Sequence, residues 1–158
     1  MNEPKALNSV AEFHRTFKHP VIDNPQIPSE DRCKLRVSLI SEELKELEAA
    51  IKDNDIVEVA DALCDIQYVL SGAVLEFGLG GKFKELFDEV QRSNMSKSCI
   101  TREEAEATVK HYLENHNTKC HIEESDGHFL VYRSEDLKTI KSINYSPADL
   151  KRIIGETE

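Results

Sequence analysis

The most restrictive feature of this chain is a long run without positive charge. Between Lys52 and Lys82 there is no lysine or arginine, yet Glu58, Asp61, Asp65 and Glu76 interrupt an otherwise apolar segment, Ile56 to Phe77. Ile56, Val59, Leu63, Ile66, Leu70, Ala73 and Phe77 recur at steps of three and four, a helical seam of near-heptad period. The opposite side carries Glu58, Asp61, Asp65, Tyr68 and Gly72, while Val57, Cys64, Val69 and Leu75 fill the flanks. A helix apolar nearly all round is expected to be buried, and buried acids are costly unless something neutralises them. An ordinary solvated face would place bases three or four residues from its acids. This one has none.

The helix before it sharpens the problem. Ser29 is a good N-cap with Glu30 and Asp31 in the first turn, so a helix is expected from there to Lys52, ended by the polar turn Asp53-Asn54-Asp55. Ile40, Leu44, Leu47 and Ile51 form one apolar stripe; Leu35 and Leu39 lie on another side, continued by Glu42, Glu43 and Glu46. If the two helices fold back antiparallel about Asn54, residues equidistant from it stand at one height. Glu46, eight residues before, then faces Asp61, seven after, and Glu43 faces Asp65 at eleven on either side. Five or six carboxylates converge, and their repulsion calls for cations. Ligands that are all oxygen select magnesium, manganese or calcium over zinc or copper. A di-iron bundle would need Glu-x-x-His pairs; here they are Glu-x-x-Glu and Glu-x-x-Asp.

The rest of the chain narrows the class. At 158 residues, 39% hydrophobic and 32% charged, it reads as one globular domain, 1–158, with a helical core over about 9–115 and an appendage over about 118–155. The net charge of −10 argues against nucleic acid as a partner. No stretch escapes charge long enough to span a membrane, and Met1-Asn2-Glu3-Pro4-Lys5 lacks the basic and apolar regions of a signal peptide. Cys33, Cys64, Cys99 and Cys120 form no Cys-x-x-Cys pair, which agrees with a cytoplasmic protein. A zinc site from His111, His116, Cys120 and His121 has poor spacing for one helix face, and scattered surface histidines explain these residues better.

Further helices are expected over Ser9–Lys18, Phe83–Arg92 and Thr101–Glu114, the last with a Thr101/Glu104 capping box. Pro20 to Pro28 is a loop, and Gly78-Leu79-Gly80-Gly81 stops the acidic helix. Lys119–Glu124 and His128–Arg133 read as a hairpin about Ser125-Asp126-Gly127, Thr139–Ile143 as a short strand, and Ser146-Pro147 as the opening of a final helix. The fold class is therefore mainly α, a helical bundle with a small C-terminal β-hairpin and helix. Downstream of the acids, Arg92-Ser93-Asn94-Met95-Ser96-Lys97-Ser98 is rich in hydrogen-bond donors, with Lys97 as a point charge suited to phosphate. By itself such a segment is more often a polar connector.

Glu42-Glu43-Leu44-Lys45-Glu46 followed by Glu58-Val59-Ala60-Asp61 resembles the paired acidic motif of the all-α nucleoside triphosphate pyrophosphohydrolases, the MazG-like superfamily. The likeness extends through Glu12-Phe13-His14, Asp61-Ala62-Leu63-Cys64-Asp65, Glu76-Phe77-Gly78, the Arg92–Lys97 segment and the tail Asn144-Tyr145-Ser146-Pro147, and it is to the phosphoribosyl-ATP pyrophosphohydrolase-like branch. The resemblance implies a magnesium-dependent enzyme, manganese being a substitute, that cleaves between α and β phosphates to release pyrophosphate. It implies Glu43, Glu46, Glu58 and Asp61 as metal ligands, to which the hairpin geometry adds Asp65. It implies Glu42 as general base, Asn94 and Lys97 as nucleotide contacts, and assembly as a homodimer or homotetramer. Phe13 or Phe17 can wall the base, although core packing is the commoner use of both; Phe17 is the candidate. The expected substrate is a noncanonical or deoxynucleotide. The competing reading is a non-enzymatic helical module that binds a nucleotide or a divalent ion.

Overall fold

The computed structural model describes residues 2–155. Contacts within the chain gather into two compact units, residues 1–83 and 84–158. The first holds three helices: α1 (Ala6–Thr16), α2 (Glu30–Lys52) and α3 (Ile56–Glu76). The second holds α4, which begins at the boundary (Phe83–Met95), α5 (Arg102–His116), the strands β1 (Cys120–Ser125) and β2 (His128–Arg133), and α6 (Leu150–Ile154). The fold is mainly helical with one small hairpin, as the sequence patterns require. None of the helices among the described residues is long and apolar enough to cross a membrane.

In the first unit, α2 and α3 form the antiparallel pair, joined at Asn54, whose φ of 54° is the left-handed conformation asparagine tolerates. Asp55 caps α3, accepting the Val57 and Glu58 amides at 2.9 and 3.2 Å. Val10 and Ala11 of α1 pack with Leu75 of α3 in a small apolar core. The loop after α1 is tied to the end of α3: the Ile22 and Gln26 amides each donate at 3.0 Å to the Leu75 and Phe77 carbonyls. Gly78 makes that close approach possible. Its φ is 69°, and a β-carbon there would lie 1.9 Å from the Asn24 carbonyl oxygen.

One expectation fails here. The seam of α3 is not buried within this chain: Ile56 is 76% exposed, Leu63 52% and Leu70 41%. What α3 buries instead is Ala62, Ser71, Gly72, Val74, Leu75 and Glu76. The all-round apolar character arises because one row faces α1 and α2 while another is left open. On α2, Val37, Leu44 and Ile51 are likewise exposed at spacings of seven.

The second unit closes around its hairpin. Cys99, Ala105, Val131 and Ile140 are buried together, with Val109, Tyr112, Ile122 and Phe129 against them. The strands pair in register from Cys120 opposite Arg133 to Ser125 opposite His128, turning through Asp126 and Gly127, both with positive φ. Thr101 caps α5 by accepting the Glu104 amide, while the Glu104 carboxylate accepts the Ile100 amide at 2.9 Å. Two details of the tail differ from the sequence reading. The strand expected over Thr139–Ile143 is a single bridge between Tyr132 and Thr139. The final helix begins at Leu150, capped by Asp149, not at Ser146-Pro147. The Ser146 amide donates instead to the Ser96 hydroxyl at 3.0 Å, and the Pro147 carbonyl accepts from Arg92, so this segment is held extended along α4.

Candidate active site

Within the first unit the helical hairpin brings most of the expected acids together. Glu43, half-buried on α2, lies at the centre. Burial pushes its carboxyl above the usual range, and the negative charges of Glu46, Asp65, Glu42 and Asp61 push it further. Four of the expected acids thus lie near enough to Glu43 on α2 and α3 for their charges to act on it. Glu58 stands apart, exposed in the first turn of α3 and absent from the acids that press on Glu43. Among the described residues no three His, Cys, Asp or Glu side chains are drawn together closely enough to hold a metal ion as they stand. The donor set is all carboxylate, and mutual repulsion of this kind is what a hard divalent cation relieves.

A second cluster lies toward the other end of the same helices, and the sequence reading missed it. Glu76 is fully buried near the C-terminus of α3. Arg32 donates to it through both Nε, at 3.0 Å, and Nη2, and Arg36 donates through Nη2 at 2.5 Å. Burial opposes the charged form of Glu76, but the bonds from Arg32 and Arg36 outweigh it and hold the carboxyl below its ordinary value. Arg36 Nη2 also donates to His14 Nε2 at 3.2 Å, while His14 Nδ1 lies 2.7 Å from the Pro20 carbonyl oxygen. A carbonyl can only accept, so Nδ1 carries the proton and Nε2 is the acceptor: His14 is neutral. Burial, the largest cause, lowers its pKa, in keeping with that tautomer. Gly72 lets the guanidinium in, since a β-carbon there would sit 2.6 Å from Arg36 Nη1. The signal available in the sequence was Glu76 itself, an acid at the apolar end of α3 with no base near it.

In the second unit the donor-rich segment is largely spent on its own architecture. Ser93 shares a hydrogen bond of 3.1 Å with the Tyr145 hydroxyl, Ser96 bonds Ser146, and Ser98 donates to the Met95 carbonyl. Arg92 pairs with Glu89, which also accepts the Asp149 amide. The Arg92 bond, with the amide second, holds the Glu89 carboxyl at about 2. Asn94 and Lys97 remain, bonded to each other at 2.7 Å from Lys97 Nζ to Asn94 Oδ1. Phe17, in the first unit, is 61% exposed and lies against Phe13, ring centroids 4.4 Å apart.

The model of the PRA-PH family, phosphoribosyl-ATP pyrophosphohydrolase, matches residues 10–94, more than half of the chain. The chain belongs to the phosphoribosyl-ATP pyrophosphohydrolase family. An uncharacterized protein of Acanthamoeba polyphaga mimivirus is 25% identical over an alignment of 238 residues, covering 89% of this chain and 93% of that protein. The family match spans α1 to α3 and nearly all of α4, so it contains the acidic hairpin, the Glu76 cluster and Asn94. It is a family of hydrolases acting on phosphoric anhydrides.

Proposed function

We propose that this family member is a magnesium-dependent nucleoside triphosphate pyrophosphohydrolase, with manganese as a substitute, acting on a noncanonical or deoxynucleotide in the cytoplasm. The observation that carries the reading is the family match over residues 10–94, within which Glu42, Glu43, Glu46, Asp61 and Asp65 lie on the antiparallel helices α2 and α3. Glu43, Glu46, Asp61 and Asp65 would hold the metal, with Glu58, one turn before Asp61 on α3, turning in to join them. When bound, magnesium offsets triphosphate charge and polarises the anhydride. Glu42, exposed beside this group, takes the proton of the attacking water as the bond between the α and β phosphates breaks, giving a monophosphate and pyrophosphate. Lys97 offers its ammonium to phosphate oxygens, Asn94 offers an amide to base, sugar or phosphate, and Phe17 lends an apolar face to the nucleotide.

A second copy of the chain, in a homodimer or homotetramer, covers the open apolar rows of α2 and α3. Ile56, Leu63 and Leu70 on one helix and Val37, Leu44 and Ile51 on the other are heptad-spaced and stand at matching distances from Asn54. Neither nucleic acid nor membrane is a partner in this reading.

The test is product analysis from a panel of nucleotides with magnesium. Monophosphate plus pyrophosphate supports the proposal; diphosphate plus phosphate, or binding without turnover, overturns it. Glu42→Gln is expected to lower kcat by about 10²-fold or more with nucleotide still bound, the size of effect a general base supplies. Wild-type turnover in that variant removes Glu42 from the mechanism.

A further inference from the structure

A cavity of about 240 Å³ lies among α1, α2 and α3, and the acidic hairpin does not account for it. Its walls include Phe13, His19 and Tyr68, with Leu39 beside them and Arg32 and Arg36 at the cationic side. Phe13 meets Tyr68 edge-on, centroids 5.6 Å apart at 82°, and stacks with His19 at 5.9 Å and 20°. Among the described residues no carboxylate lines the cavity, in a chain whose net charge is −10. Two guanidiniums share one buried carboxylate, Glu76, and His14 is neutral, so the cluster keeps a net positive charge. Arg36 also retains donor capacity, for its buried Nε has no hydrogen-bond partner.

Size and place decide what fits. The volume is below the roughly 300–1,000 Å³ that enclose a drug-sized ligand, and suits one flat heterocycle of one or two fused rings. Leu39 precedes Glu43 by one turn on α2, and Tyr68 follows Asp65 by three residues on α3, so the cavity lies about 5–6 Å along the helices from the acids. A ring held there places its sugar and phosphates toward Glu43 and Asp65. We propose that this cavity is a nucleobase pocket whose aromatic walls hold the ring and whose guanidinium side selects bases presenting carbonyl oxygens over bases presenting amino groups. The proposal rests on the nucleotide pyrophosphohydrolase reading and names its substrate class: triphosphates of oxo bases. Phe13 lines the pocket itself, and Phe17 lies against Phe13 outside that lining, where its exposed face is open to the rest of the nucleotide.

The experiment compares kcat/KM for inosine and adenosine triphosphates, which differ in an oxo against an amino group, and likewise for the deoxyuridine and deoxycytidine pair. The oxo member of each pair is expected to win by at least about tenfold, as for a hydrogen bond to a charged donor. Tyr68→Leu is expected to bring both ratios toward one. Should that variant not fold, Phe13→Leu serves the same purpose. Equal kcat/KM within each pair, or ratios unmoved by the variant, overturns the pocket while pyrophosphate release still supports the reaction. If no nucleotide is turned over, the reaction reading has failed. The pocket is then decided by calorimetry with the monophosphates: inosine monophosphate binding tighter than adenosine monophosphate supports it, and equal binding overturns it.

Discussion

The two units of this protein differ in whether an ionic cluster sits in the interior and in how their exposed apolar residues are arranged. The first encloses Glu76, Arg36 and His14 and leaves Val37, Leu44, Ile51, Ile56, Leu63 and Leu70 exposed. The second encloses Cys99, Ala105, Val131 and Ile140 around a hairpin, and spends serine, tyrosine and arginine donors on tying its own tail to α4. Exposed single apolar residues are ordinary, but heptad-spaced rows on paired helices are not. A buried ionic cluster with heptad-spaced apolar rows left outside is the pattern on which the proposed self-association rests. The second unit has an apolar interior, spends its polar groups on contacts within itself, and leaves its exposed apolar residues, such as Phe87, Ile100 and Leu137, off any paired-helix row.

The largest effects should come from breaking the two interiors, and they should differ in kind. Glu76→Gln leaves Arg32 and Arg36 without their shared anion and is expected to cost about 3–5 kcal/mol. Ile140→Ala opens a void in the second core and is expected to cost about 2–5 kcal/mol. Acidity separates them. Glu76 is depressed in the folded state, so its stabilisation is complete above the ordinary glutamate value of 4.5 and is lost as pH falls through its lower folded value. The penalty of Glu76→Gln, measured by urea unfolding, should therefore shrink in acid, whereas that of Ile140→Ala should stay constant. A pH-independent Glu76→Gln penalty would mean that the cluster acts through shape alone.

The exposed rows give the next contrast. Leu63→Lys is expected to weaken self-association at least tenfold by sedimentation, since each buried leucine contributes about 1.5–3 kcal/mol. Leu137→Lys, at a loop residue of the second unit that is 65% exposed, should leave association unchanged. Equal behaviour of the two variants would erase the distinction between the open rows and ordinary exposure.

How much of this was legible in the sequence depended on how local the cause was. The turn between α2 and α3 followed from Asp53-Asn54-Asp55, and α5 from its Thr101 cap, whereas α1, expected over Ser9–Lys18, runs over Ala6–Thr16 with no side-chain cap to mark its start. The hairpin of the second unit followed from Asp126-Gly127. The final helix was misplaced because Ser146 and Pro147 have local cap chemistry but are engaged by Ser96 and Arg92, fifty or more residues earlier. The Glu76 cluster was hidden for the same reason, its arginines lying forty and forty-four residues away. Periodicity told that α3 has an apolar row; it carried no information on whether this chain or another covers it.

The smallest predicted effect probes the acids themselves, where the first unit holds charge under repulsion and the second holds it under attraction. Glu43 is raised in the folded state, so the native protein keeps its proton to higher pH than the unfolded chain does. The group therefore favours folding below the ordinary value of 4.5 more than above it, and stability declines as pH climbs through the raised value. Glu43→Gln removes this charge. Without metal the variant should equal or slightly exceed the wild type at neutral pH, with the advantage vanishing in acid. Added magnesium should reverse the order, because binding to the native acids stabilises only the wild type appreciably. Glu89 of the second unit, lowered to about 2 by Arg92 and the Asp149 amide, should respond oppositely, and Glu89→Gln should be destabilising at neutral pH with or without magnesium. Thermal unfolding of the three proteins at neutral and acidic pH, with and without magnesium, measures each sign. If magnesium stabilises Glu43→Gln as much as the wild type, the acids around Glu43 do not hold the metal.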